Sequence, residues 1–182
     1  MKEKVLEDKY ALVTGSSKGI GAELARGLAR EGAYVAVNYK TDRDGADATC
    51  KSILDQGGQA VSIQGDVSSA AGAKNLISKV CDQFGRIDIL VNAAGFNIPE
   101  PLDDVTEEHF DKVITVNVKG TFMVSQAAVR RMRAGGSGGA IINISSQMGH
   151  VGGTDRTVYV SSKHAIEGLS KAMAVELAPH NI

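Results

Sequence analysis

The stretch Tyr10-Ala11-Leu12-Val13-Thr14-Gly15-Ser16-Ser17-Lys18-Gly19-Ile20-Gly21 decides how the rest of the sequence is read. A short apolar run, residues 10–14, leads into three glycines, and residues 20–30 follow at once with helical spacing. Near-continuous apolar character over so few residues is what a strand covered on both faces requires. Glycines between such a strand and a helix permit a tight turn and let backbone N–H groups and the helix N-terminus approach a pyrophosphate. They also serve plain strand-to-helix turns, and the spacing Gly-x3-Gly-x-Gly is not the Gly-x-Gly-x2-Gly of the standard dinucleotide fingerprint. Placement on the first strand–helix turn favours the dinucleotide reading.

Outward from that turn the same rhythm repeats. Residues 33–38, 59–64, 87–92 and 140–145 are short runs rich in Val, Ile and Leu. Residues 44–56, 68–84, 106–133 and 157–178 are longer and helical in period, the last stopped by Pro179. In the second of these helices Ala73, Leu76, Ile77, Val80 and Phe84 recur at helical spacing. Strand and helix in alternation mean right-handed crossovers and a parallel sheet: an α/β fold, Rossmann-type and doubly wound, with helices on both faces. With 21 glycines but only three prolines in 182 residues, long elements joined by glycine turns are expected. Residues 135–139 read as a flexible loop rather than a linker, so residues 1–182 form a single domain.

Composition excludes several function classes. Twenty Lys and Arg stand against 21 Asp and Glu, with eight aromatics and no block of like charge, which leaves no footprint for nucleic acid. The first nine residues are charged and no run of eighteen apolar residues occurs, so neither a signal peptide nor a membrane span is expected and the chain reads as cytoplasmic. Cys50 and Cys81 lack a CxxC or Cys/His cluster; they read as buried thiols, with no metal site.

The ribose of a bound dinucleotide lies about 20 residues beyond the glycine turn, where an acidic side chain accepts from the 2′-hydroxyl of NAD. Here the second strand ends Val37-Asn38-Tyr39-Lys40, and no Asp or Glu follows before Asp42. Lys40 and Lys18 are placed to face a 2′-phosphate instead, which favours NADP(H) over NAD(H); the bland alternative is two solvated lysines. Near the other end, Tyr159 and Lys163 are four apart on the last helix and share a face. An ammonium stabilises phenolate, which suits a tyrosine to general acid–base work. Ser145-Ser146 closes the fifth strand, on the carboxyl edge where ligands bind in open α/β sheets, and a hydroxyl there can hold a carbonyl oxygen.

Together these residues resemble the short-chain dehydrogenase/reductase family, over nearly the whole chain from Lys9 onward. The family's glycine motif matches Thr14 to Gly21, which places Gly15, Ser17, Lys18, Gly19, Ile20 and Gly21 at the cofactor, with Asn38 and Lys40 beyond. Its Asp-Val contact to adenine matches Asp66-Val67. Its Asn-Asn-Ala-Gly motif matches Asn92-Ala93-Ala94-Gly95, with Ala93 in place of the second Asn. Its catalytic residues fall on Asn117, Ser146, Tyr159 and Lys163, with Ser146 thirteen residues before the tyrosine. The resemblance implies hydride transfer between nicotinamide and a carbonyl carbon while Tyr159 donates a proton to the oxygen. Lys163 would bond the nicotinamide ribose, Ser146 orient the carbonyl, and Asn117 hold a water in a relay to Lys163. For Asn117 the competing reading is a helix-kinking or loop-bonding residue. His150 and His164 read as core or surface histidines, since His164 points about 100° away from Lys163.

By the same resemblance, relatives continue beyond the tyrosine helix into further strands and a substrate-covering loop. The family's last strands are therefore expected to be missing from this sequence, leaving the domain C-terminally incomplete with an open strand edge. Apolar residues on more than one stripe of the two long helices, among them Phe122, Met123, Val129, Ile166, Leu169 and Met173, suggest a homodimer or homotetramer. The expected substrate is a small ketone or secondary alcohol. A 3-oxoacyl thioester and a sugar or polyol stand open, and Asp155 and Arg156 lean toward a polar or anionic one. The rival is a cofactor-binding protein or degenerate subunit without turnover. A phosphate-binding hydrolase fails, because the glycine loop lacks a Lys-Ser/Thr ending.

Overall fold

All five apolar runs become parallel strands, in the sheet order β3-β2-β1-β4-β5. The computed structural model describes residues 4–182. The strands are β1 (Tyr10–Val13), β2 (Tyr34–Tyr39), β3 (Gln59–Gln64), β4 (Ile89–Asn92) and β5 (Ala140–Asn143). The helices are α1 (Gly19–Arg30), α2 (Arg43–Leu54), α3 (Ala70–Phe84), α4 (Glu107–Ile114), α5 (Thr121–Gly135) and α6 (Thr157–Leu177). The family's expected Rossmann-type α/β architecture is therefore present in these residues.

Alternation along each strand divides the apolar residues between two cores. Leu12, Ala36 and Leu90 face Leu76, Ile77 and Val80 of α3 and Val124, Ala128 and Met132 of α5. Val13, Val35, Val37 and Val91 face Ala25 and Ala29 of α1 and Ala46, Cys50 and Ile53 of α2. Covering on both sides is why β1, β2 and β4 read as continuous apolar runs. Strand β5 pairs with β4 and is covered less, with Ile142 45% exposed. Cys50 is buried, as its surroundings predict, and burial pushes its thiol up to about 11. Cys81 is only partly buried and packs at the margin of the α3–α5 core.

Helix starts follow local chemistry. Asp42, Ser69 and Thr106 accept hydrogen bonds from Gly45, Gly72 and His109 N–H respectively, capping α2, α3 and α4. Lys18 precedes α1 without such a side-chain bond, which leaves the first N–H groups of that helix directed out of the sheet's carboxyl edge.

The single helix expected over residues 106–133 is interrupted. Thr115–Gly120 forms a π-helical segment between α4 and α5. Two bonds meet in it: Thr121 Oγ1 donates to the Asn117 carbonyl one turn back at 2.8 Å, and the Asn117 amide reaches out to the backbone of Phe96. Among the described residues no helix is long and apolar enough to cross a membrane.

Candidate active site

The glycine turn is built by steric exclusion. Gly15 has φ +62°, and a Cβ there would lie 2.7 Å from the Ala94 Cα. A Cβ on Gly21 would lie 2.5 Å from the Gly15 carbonyl oxygen. The backbone of the turn therefore folds onto the start of α1 as closely as atoms allow. Ile20 stands 68% exposed on the first turn of the helix. Thr14 fastens this turn to the segment after β4, its Oγ1 accepting from the N–H groups of Ala93 and Ala94 at 3.1 Å each. Where the family motif has its second Asn, Ala93 packs against the α1–α2 core.

Asn38 is buried, and its side chain serves the scaffold. Its Oδ1 accepts from Gly15 N–H at 3.1 Å, while Nδ2 donates to the carbonyls of Ile63 and Gly65 at 3.2 and 3.1 Å. Ser16 completes the stitching. Its Oγ donates to Val13 O at 2.7 Å and accepts from Asn38 N–H at 2.9 Å. Asn38 thus shapes the turn from behind and holds β3 beside it. Beyond it, Lys40 Nζ lies 2.9 Å from Asp66 Oδ2, and the following Val67 is buried. Lys18 is exposed at the head of α1.

At the other end of the same edge, Lys163 is only 7% exposed. Its Nζ donates to the Ile144 carbonyl at 2.7 Å and lies 5.6 Å from the centroid of the Tyr159 ring. Burial pushes the Lys163 pKa down. Gly95 passes directly beside it: a Cβ on Gly95 would lie 3.9 Å from the ammonium and 3.1 Å from Asn117 Oδ1.

The Asn117 amide is spent on bonds to the scaffold. It accepts from Phe96 N–H at 3.0 Å and donates to Phe96 O at 2.9 Å and Ser162 Oγ at 3.1 Å. Ser162 in turn donates to the Tyr159 carbonyl at 2.7 Å. Loop bonding and helix distortion, the competing reading of Asn117, therefore both occur. Its main-chain carbonyl accepts from Thr121 Oγ1 and has a second lone pair beyond that bond.

Ser146 accepts from Met148 N–H at 3.1 Å and retains its hydroxyl hydrogen for another partner. Ser145 instead lines a cavity beside β5 with Asn143, Glu167 and Ser170. His150 and His164 sit on the surface, His150 at 3.6 Å from Glu167 and His164 bonded to the Val160 carbonyl.

Thr14, Ser16 and Ser162 carry positioning bonds that the sequence reading did not assign. Only Thr14 had a visible signal, its place at the strand end. Asn92 is buried and reaches across the sheet, its Nδ2 donating to Ser125 Oγ and Asn143 Oδ1 at 2.9 Å each.

The profile of the short chain dehydrogenase family matches residues 9–182. This chain is a short-chain dehydrogenase/reductase. An uncharacterized oxidoreductase of Methylorubrum extorquens is 45% identical over 177 residues, which cover 97% of this chain and 70% of the relative. A 3-oxoacyl-[acyl-carrier-protein] reductase of Staphylococcus aureus is 42% identical over 174 residues, 96% of this chain and 70% of the relative. Among solved structures, a gluconate 5-dehydrogenase of Burkholderia cenocepacia in complex with NADP and tartrate superposes with a TM-score of 0.91. It is 35% identical, with 99% of this chain and 70% of that one covered. The dehydrogenase is accordingly an oxidoreductase acting on CH–OH groups with a nicotinamide dinucleotide as partner. The glycine turn fits that group: with no Cβ at Gly15 or Gly21 to push against Ala94 and the Gly15 carbonyl, the loop folds tightly onto the start of α1, whose N-terminus carries no side-chain cap.

Proposed function

We propose that this dehydrogenase interconverts a ketone and a secondary alcohol, with Tyr159 exchanging the proton on the substrate oxygen. The observation that carries the reading is the buried Lys163 ammonium, held by Ile144 O and set 5.6 Å from the Tyr159 ring, on the same sheet edge as the glycine turn. The dinucleotide, when bound, supplies or accepts the hydride. Everything else falls to the chain. Gly15, Ser17, Gly19, Ile20 and Gly21 cradle the pyrophosphate, and Asp66 with Val67 borders the adenine. Asn92, Ala93 and Gly95 line the floor between turn and Lys163. Lys163 holds the nicotinamide ribose and keeps its ammonium over the face of the Tyr159 ring. Ser146 donates its free hydroxyl hydrogen to the substrate oxygen, and the Asn117 carbonyl anchors the water that returns protons to Lys163.

NADP(H) is preferred over NAD(H), because Lys40 and Lys18 flank the ribose position and β2 ends without an acid. The NADP held by the gluconate 5-dehydrogenase neighbour supports the same choice. The protein associates as a homodimer or homotetramer through α5 and α6. There Phe122 is 42% exposed beside Val129 and Met173, and light scattering should show more than a monomer.

The decisive experiment follows oxidation of NADPH and NADH at 340 nm with a 3-oxoacyl thioester, a keto-sugar acid and a small diketone. Turnover with one of these, faster with NADPH, is the expected outcome. Binding of NADPH with no oxidation across the panel would favour a cofactor-binding protein without turnover.

A further inference from the structure

Lys40 and Asp66 lie just beyond the ends of neighbouring strands, since β2 and β3 pair through Tyr39↔Gln64. Gln64 Nε2 anchors the Lys40 backbone by donating to its carbonyl at 3.2 Å, and the Asp66 carboxylate is oriented by Ser68 N–H, which donates to Oδ1 at 2.9 Å. Asp66 Oδ2 then meets Lys40 Nζ at 2.9 Å. Under the cofactor reading these side chains have separate tasks, the ammonium toward a 2′-phosphate and the carboxylate toward adenine. Here they are spent on one another, and both remain accessible, Lys40 at 62% and Asp66 at 40% of their side-chain surface.

We infer that Asp66 sets the strength of 2′-phosphate recognition by competing with the phosphate for Lys40. The inference rests on the cofactor reading of this site and adds a specificity-determining role to a residue otherwise assigned to adenine. A phosphate monoester carries about −1.5 to −2 charges at neutral pH. To bond Lys40 it must displace the Asp66 carboxylate or share the ammonium with a like charge. A nucleotide with a free 2′-hydroxyl leaves the Lys40–Asp66 pair intact. The pair therefore narrows the gap between phosphorylated and unphosphorylated cofactors. Exposed ion pairs of this kind shift an equilibrium by roughly fivefold at most, which bounds the effect.

The two sources of affinity separate cleanly. Adenine contacts are common to both nucleotides and cancel in the ratio of their affinities, so the ratio isolates the 2′-phosphate. The experiment is calorimetric titration of the full chain with 2′,5′-ADP and with 5′-AMP, for wild type, Asp66→Asn, Lys40→Ala and the double variant. Asn keeps an oxygen for Ser68 N–H while removing the charge, and Asp66→Ser serves as the second variant should Asp66→Asn not fold. Asp66→Asn is expected to raise the affinity ratio in favour of 2′,5′-ADP by about three- to fivefold. Lys40→Ala should lower it, and in that background Asp66→Asn should change it by less than about 1.5-fold.

An unchanged or smaller ratio in Asp66→Asn overturns the inference. So does an equal gain in the absence of Lys40, which would make the effect simple repulsion by Asp66. Failure of wild type to bind either nucleotide would remove the cofactor reading itself, and the inference with it.

Discussion

Tyr159→Phe is expected to lower kcat by ~10²- to 10⁴-fold while leaving the Kd for NADPH within about twofold of wild type. The substitution removes one hydroxyl and little else. The ring that lies 5.6 Å from Lys163 Nζ stays, and so does the contact between ammonium and ring face. Lys163 keeps its bond to Ile144 O, which involves no atom of Tyr159. Ser162 bonds the Tyr159 main-chain carbonyl, so the start of α6 is held as before. Each support of the site is thus independent of the phenol oxygen, and a fall in turnover reports proton transfer rather than collapse. Stopped-flow binding and steady-state rates on the same preparation separate the two quantities. Retained turnover would remove Tyr159 from its proposed role and leave Ser146 or a bound water as proton donor.

What the sequence made legible was what depends on near neighbours. Five strands and the main helices follow from apolar period and glycine punctuation, because burial on two faces writes itself into consecutive residues. The Tyr159–Lys163 juxtaposition follows from helix geometry alone. What stayed illegible depends on partners far along the chain. Within the π segment at Thr115–Gly120, Asn117 reaches Phe96, 21 residues earlier, and nothing in the local sequence announces that bond. Asn38 reads as a residue where an acid is missing. Its actual bonds to Gly15, Ile63 and Gly65 appear only once three strand ends are brought together. The Lys40–Asp66 pair needs the β2–β3 register, which neither strand specifies by itself.

Gly21→Ala sets two effects of opposite sign against each other, and the geometry says which one wins. Gly21 lies inside α1, where alanine is favoured over glycine by about 1 kcal/mol on helix propensity. The added Cβ, however, would sit 2.5 Å from Gly15 O and 3.0 Å from Ser16 Cα, both backbone atoms. Neither can retreat cheaply. Gly15 is tied by its N–H to Asn38 Oδ1 and sits where not even a Cβ would clear Ala94, and Ser16 is bonded to Val13 and Asn38. Overpacking of this kind costs about 1–3 kcal/mol, so the net effect is destabilising or at best neutral in the free chain. The strain falls on the turn that receives the pyrophosphate, and NADPH affinity should drop about tenfold or more. Gly27→Ala on the same helix is the matched control. A Cβ there would come no nearer than 3.8 Å, to the end of the flexible Arg30 side chain, and the propensity gain should appear undiminished as a rise in Tm of about 2–4 °C. Thermal melts and NADPH titrations of both variants decide the matter. If Gly21→Ala melts as high as Gly27→Ala and binds NADPH like wild type, the turn is not the close-fitting cradle described above, and the dinucleotide must be held elsewhere.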